Sequence, residues 1–354
     1  MPKIEHICFL VTIPRFYLKY FSNNNQNKHI GVYIFKTKTW INEANLKNQS
    51  YENYFYDKDG MLEDALSTLE NISAESIRKI DTTYTLPKPS TEDFKAIWVF
   101  TFLQATRTKS IAKETNEMTN KLFKIVFKND PRFKGNINNL EFGIKNTAAF
   151  NIDTTIKTMY YAKDLACKLI VNKSSIPFIT SDNPVVRYNQ FLERRKFPGG
   201  LTGFASKGLQ IFFPITPNLM LLFYDDKVYK CGLKKRSRLE TSQTEDIFNL
   251  NLLQCLNCDE LIYFNNKICK YEIEKLIAKK ERYFIQDRNI VNEYPQKPAA
   301  NGSIASLIHT YKQDLKIKLK LSFLKETDHA KSYRLTGYAV ELRDETLRNK
   351  NLLK

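Results

Sequence analysis

The sequence predicts an α+β fold, a helical layer packed on a mixed or antiparallel sheet with a β appendage at the C-terminal end. Three observations predict it. Between residues 61 and 171 apolar residues recur at spacings of three and four, the helical period. From residue 176 the texture changes to short β-rich runs closed by turn residues. Near the end, Leu315, Ile317, Leu319, Leu321 and Phe323 alternate with Lys316, Lys318, Lys320 and Ser322, the two-residue period of a half-buried strand.

In chain order, Pro14 opens a short amphipathic helix through Phe21, since proline suits a first turn. Asn23 to Lys28 is a polar loop. Ile30 to Phe35 reads as a strand, with a turn at Lys36 to Lys38 before another. Tyr51 to Gly60 is aromatic and irregular. Met61 to Ile80 is a helix with Leu62, Leu66, Leu69, Ser73 and Ile77 on its apolar side. After the break at Pro87 and Pro89, Ser90 caps a helix expected to run from Thr91 to Phe127, buried in its first turns. Pro131 and Gly135 separate it from a third helical region, Leu140 to Val171. Strands follow at Ile176 to Thr180, Leu209 to Ile215, Leu219 to Tyr224 and Leu261 to Phe264, with helices at Thr244 to Cys255 and Tyr271 to Tyr283. Tyr333 to Arg343 is a pairing partner for the lysine-faced strand. The Pro-rich stretch Tyr294 to Gly302 divides a main domain, 1–295, from a hairpin extension, 296–354.

The chain has 354 residues and a net charge of +17. That excess favours an anionic partner, nucleic acid above all, through counterion release. The joint abundance of Lys, Asn and Ile also fits an AT-rich genome, which inflates lysine without a ligand. With 11 glycines and neither GxGxxG nor GxxxxGK[ST], glycine-rich phosphate loops are not expected. No segment reaches the length of a membrane span, and the start lacks a signal-peptide pattern, so a cytoplasmic protein without a membrane partner is expected. The six cysteines are scattered, as reduced thiols are. Cys255-x-x-Cys258 lacks the second ligand pair that zinc requires.

Polar residues on apolar stripes carry the chemistry. Gln104 and Arg107 continue the line of Ile97, Phe100 and Ile111. A buried guanidinium needs an anion, either a ligand's phosphate or carboxylate or an acid of the same chain. Glu70 lies at the edge of the first long helix's apolar stripe and suits a metal ligand, a general base or a partner of Arg107. Asp182 ends an apolar run at Ser181-Asp182-Asn183-Pro184. It is either an Asx turn or a carboxylate displayed at a strand end. Together Asp182 and Glu70 would bind Mg²⁺, Arg107 would stabilise phosphate charge, and Gln104 would orient it. Arg187, Arg194, Arg195 and Lys196, then Lys234, Lys235 and Arg236, and the strand face of Lys316, Lys318 and Lys320 form basic clusters interleaved with tyrosines, suited to nucleic acid. A phosphodiesterase-type nuclease and a non-enzymatic nucleic-acid or ribonucleoprotein binder both follow from these residues.

The pattern Ile13-Pro14-Arg15-Phe16-Tyr17-Leu18-Lys19-Tyr20-Phe21-Ser22, the strand Gly31 to Phe35, Leu62-Glu63 and Leu69-Glu70, Gln104-Ala105-Thr106-Arg107-Thr108, Phe178 to Val185, Phe213-Pro214-Ile215-Thr216-Pro217 and Asn251 resembles the bacterial family catalogued as domain of unknown function 4238. The resemblance covers roughly residues 10 to 265. It implies no established activity; some relatives look like parts of bacterial defence against phage. Members usually carry a histidine shortly before the proline, in a His-Tyr-Val-Pro pattern, where this chain has Val11-Thr12-Ile13-Pro14. A histidine acid or base of the relatives therefore has no counterpart here unless His6 replaces it.

Overall fold

The computed structural model describes residues 13–49, 61–133, 135–283, 285, 287–295, 306–335 and 340–344. Tyr51 to Gly60, His6, Val11, Thr12 and Tyr338 lie outside them. The helices are α1 (Arg15–Lys19), α2 (Leu46–Gln49), α3 (Met61–Thr83), α4 (Glu92–Gln104), α5 (Lys109–Val126), α6 (Thr147–Thr158), α7 (Gln190–Arg194), α8 (Thr244–Asn257), α9 (Lys270–Tyr283) and α10 (Asp328–Ser332). The strands are β1 (His29–Ile34), β2 (Thr39–Asn45), β3 (Ala166–Asn172), β4 (Thr180–Ser181), β5 (Val186–Tyr188), β6 (Gln210–Thr216), β7 (Leu219–Tyr224), β8 (Tyr229–Cys231), β9 (Arg238–Thr241), β10 (Leu261–Phe264), β11 (Asn289–Pro295), β12 (Ser306–Lys312) and β13 (Leu324–Glu326).

A five-stranded sheet of order β5-β6-β7-β3-β9 forms the centre, antiparallel except for the parallel β3–β9 pair. A second sheet has the order β2-β1-β10-β4. Strand β7 shows why the centre is buried on both sides. Leu219, Leu221 and Phe223 enter one core with Tyr17, Leu18, Ile77, Ile97 and Phe100. Met220, Leu222 and Tyr224 enter the other with Leu250, Leu253, Ile273 and Leu276. Successive side chains of a strand point to opposite faces, so an unbroken apolar run requires a layer on each face. Helices α1, α3 and α4 therefore cover one face and α8 and α9 the other. Each such leucine contributes about 1.5–3 kcal/mol by leaving water.

The α+β expectation holds, and several elements within it change. The helix expected over 91–127 is two helices. Thr91, not Ser90, caps the first, and Thr108 caps the second by accepting from the Ile111 amide at 3.5 Å. The turn between them removes Arg107 from any continuous helical stripe. The region 140–171 holds α6 but ends as strand β3, whose β-branched Ile170 and Val171 pair with β7. Of Ile176 to Thr180, only Thr180 joins a ladder, through β10.

Leu315 to Leu321 keeps its alternation, apolar residues inward and Lys318 and Lys320 outward, yet belongs to no ladder. Side chains replace a partner strand. The Tyr188 hydroxyl accepts from the amides of Ile317 at 3.0 Å and Leu319 at 3.4 Å, and Glu193 accepts from that of Lys318 at 2.7 Å. Among the described residues of Tyr333 to Arg343 no ladder with it occurs; Leu342 forms an isolated bridge with Ser206. Described residues of the C-terminal stretch also pack inward. Leu315, Ile317, Leu319, Leu321, Leu324 and Ala330 share the core of β7 and α8.

Candidate functional site

The structure joins three of the four expected site residues. From the turn after α4, Arg107 donates Nη1 to Glu70 Oε1 on α3 at 2.8 Å and Nε to Gln104 Oε1 at 2.9 Å. Its guanidinium lies 5.6 Å from the Phe100 ring centroid. The Arg107 side chain is 3% exposed and that of Glu70 28%. Two buried donors, Arg107 Nη2 and Gln104 Nε2, have no hydrogen-bond partner. The anion for Arg107 is thus an acid of the same chain, with two donors left over.

Asp182 takes a different role. Its Oδ1 accepts from the Asp259 amide at 2.8 Å, and its Oδ2 from those of Glu260 at 2.7 Å and Leu261 at 2.8 Å. The Asp182 amide in turn reaches the Leu261 carbonyl at 3.0 Å. The carboxylate ties the start of β10 to the end of β4. Burial pushes its pKa up to about 6, against the three amides, which favour the ionised form. A carboxyl whose folded pKa is raised from the ordinary 3.8 gives stability that is present below that value and lost as pH rises through about 6. We expect Asp182→Asn to remove this step from a plot of melting temperature against pH.

Both Asp182 oxygens accept from amides and Glu70 Oε1 accepts from the Arg107 guanidinium, so a hard cation at either carboxylate would compete with these donors. Among the described residues no group of three or more His, Cys, Asp and Glu side chains converges.

Two of the recognised segments do meet. Thr108 Oγ1 donates to Asn183 Oδ1 at 3.1 Å, while Asn183 Nδ2 donates to the Asn257 carbonyl at 3.1 Å. Helix α8 holds the Phe178 to Val185 segment through side-chain amides. Asn251 accepts from the Ile179 amide and donates to the Pro177 carbonyl; Gln254 accepts from Ser181 Oγ and donates to the Pro184 carbonyl; Asn257 donates to the carbonyls of Asn183 and Val185. Sequence reasoning missed this clamp. Its signal was three amides spaced by three in the otherwise apolar second half of the helix, Leu250 to Asn257, a spacing that puts them on one face. Buried amides of this kind need partners, and here the extended segment supplies them.

The basic clusters divide. Arg194 and Arg195 pair with Glu326 on β13 at 3.0 and 3.3 Å, and Arg195 lies 3.8 Å over Phe191. Arg187 donates to the Thr202 carbonyl at 3.3 Å, and burial pushes its pKa down. Lys316 donates to the carbonyls of Phe197 and Pro198. These four hold the C-terminal segment or the loop before β6. Lys196, Lys234, Lys235, Arg236, Lys318 and Lys320 are exposed. Buried Lys168 donates to the carbonyls of Leu233 and Arg236, which fixes the loop carrying the second cluster.

No helix among the described residues is long and apolar enough to cross a membrane. Cys255 and Cys258 are buried, and burial pushes both thiols up. No curated protein and no solved structure matches the chain. A family model described as "Protein of unknown function (DUF4238)" matches residues 12–268, and the chain belongs to that family.

Proposed function

We propose that this member of the family is a basic nucleic-acid-binding protein whose buried polar cluster is structural. The observation that carries the reading is the division of charge. Asp182, Arg107, Arg187, Arg194 and Arg195 have internal partners, while six lysines and arginines of the same clusters remain exposed in a chain of net charge +17. Exposed cations bind phosphates by releasing condensed counterions, a gain that falls steeply with salt.

The test is a titration of labelled RNA and DNA at increasing salt. The expected result is a linear fall of log affinity with log salt. Reversing Lys234, Lys235 and Arg236 to glutamate is expected to lower affinity at least about tenfold and to flatten that line by about two to three phosphate equivalents. An affinity insensitive to salt would remove the reading.

One observation favours a second reading, a nuclease of the kind that phage defence would use. Arg107 Nη2 and Gln104 Nε2 are orphan donors on two side chains that bond each other, and a phosphate oxygen is an acceptor of the kind they lack. Degradation of labelled total RNA by the purified protein, with and without a chelator, decides it. Activity that Arg107→Lys abolishes without unfolding the protein would replace the first reading.

A further inference from the structure

We propose that a surface strip centred on Tyr84 is the place where a single strand of nucleic acid lies, its bases on tyrosine and its phosphates on flanking lysines and arginines. This rests on the polyanion-binding reading and adds a location and a strand state to it.

Two open grooves meet at Tyr84. One, of about 690 Å³, lies between α1, the C-terminal half of α3 and the turn after β6, and presents Lys19, Tyr20 and Lys267. The other, of about 720 Å³, lies against the loop before β9 and presents Lys235, Arg236 and Arg238. Tyr84 lines both. Lys173 and Arg238 stand 5.5 and 5.6 Å from its ring centroid, near the outer limit for a cation over an aromatic face. Cations held that loosely can move to the phosphates on either side of a base that takes the ring.

The backbone points the same way. Tyr84 follows the last turn of α3 with φ +54°, and its amide reaches the Ile80 carbonyl at 2.7 Å. Helices end in this left-handed conformation with glycine or asparagine, because a side chain there crowds the following carbonyl. A tyrosine at such a place keeps a strain that glycine would relieve, and strain of this kind gathers at binding sites.

The acids of the strip are mostly spoken for. Glu75 pairs with Arg78 at 2.7 Å, and Glu240 with Arg238. Asp81, half-buried and turned toward Thr216, is the acid that remains in the first groove. Lys19, Lys173, Lys235, Arg236 and Lys267 have no ion-pair partner among the described residues. Stacking on tyrosine needs an unpaired base, and every base offers a π-face, so the strip suits a single strand without strong sequence preference.

The test compares a labelled oligouridylate with an RNA duplex of equal length, by anisotropy on the full chain. Tyr84→Gly relaxes the backbone and deletes the ring. It is expected to weaken oligouridylate binding about tenfold, the loss of one base stack, and duplex binding less than about twofold. Tyr84→Asn, which tolerates the left-handed conformation, is expected to do the same and guards against an unfolding artefact. If both variants bind oligouridylate like the parent while its affinity still falls linearly with salt, the strip is wrong and polyanion binding stands. If the parent binds neither RNA at low salt, polyanion binding falls and the strip with it.

Discussion

Asp182→Ala is expected to cost about 3 kcal/mol of folding stability, read from a urea melt. Three amides, of Asp259, Glu260 and Leu261, lose their acceptor at once. Leaving a buried amide unsatisfied costs about 1–3 kcal/mol, and the water that reaches this turn recovers part of the sum. Asp182→Asn is the sharper variant. With its oxygen turned to the amides of Glu260 and Leu261 it keeps the shape and two of the three bonds, and its NH2 faces the Asp259 N–H, donor against donor. It is therefore expected to recover part of the alanine variant's loss and not all of it. Full rescue by asparagine would show that the charge does not hold this turn and would return Asp182 to the list of catalytic acids. The result also governs activity assays. A loss of function in Asp182 variants carries mechanistic weight only after their folded fraction is known.

The second large effect lies at Arg107 and Glu70, and its direction is informative. Glu70→Gln leaves a guanidinium that is 3% exposed without a counter-charge. An uncompensated buried charge costs about 3–5 kcal/mol. Arg107→Met removes the buried cation and leaves Glu70, whose side chain is 28% exposed and regains water. That variant is expected to cost about 1–2 kcal/mol, the net worth of a charged hydrogen bond. The order should therefore be Glu70→Gln worse than Arg107→Met, and the double variant less damaging than the sum, since the pair is coupled. The reverse order in urea melts would mean that Arg107 has another counter-ion, as the orphan donors Arg107 Nη2 and Gln104 Nε2 would provide with a bound phosphate.

These two experiments separate a framework from an active centre at residues that look alike in sequence. Arg107, Glu70 and Gln104 converge because α3 and α4 pack side by side and the chain turns after Gln104. Asp182 is one residue from Asn183, which touches Thr108, yet its oxygens point at the turn before β10. Proximity along the chain says nothing about which way a carboxylate faces at a strand end.

Local pattern determined a good deal of this protein. The apolar runs of β6 and β7, the apolar period of α3, the places of α8 and α9, and the alternation of Leu315 to Leu321 are legible because side-chain period and burial are tied by backbone geometry alone. The family segments were legible as well, and the match over residues 12–268 bears them out. What only tertiary structure decided was the partner of each polar group. Whether Leu315 to Leu321 meets a strand or the side chains of Tyr188 and Glu193, whether Asp182 meets a metal or three amides, and whether Arg194 meets a phosphate or Glu326 depends on segments up to 132 residues apart. Apolar burial is non-directional and can be read from composition along one element. Hydrogen bonds and ion pairs are directional and need both partners in place.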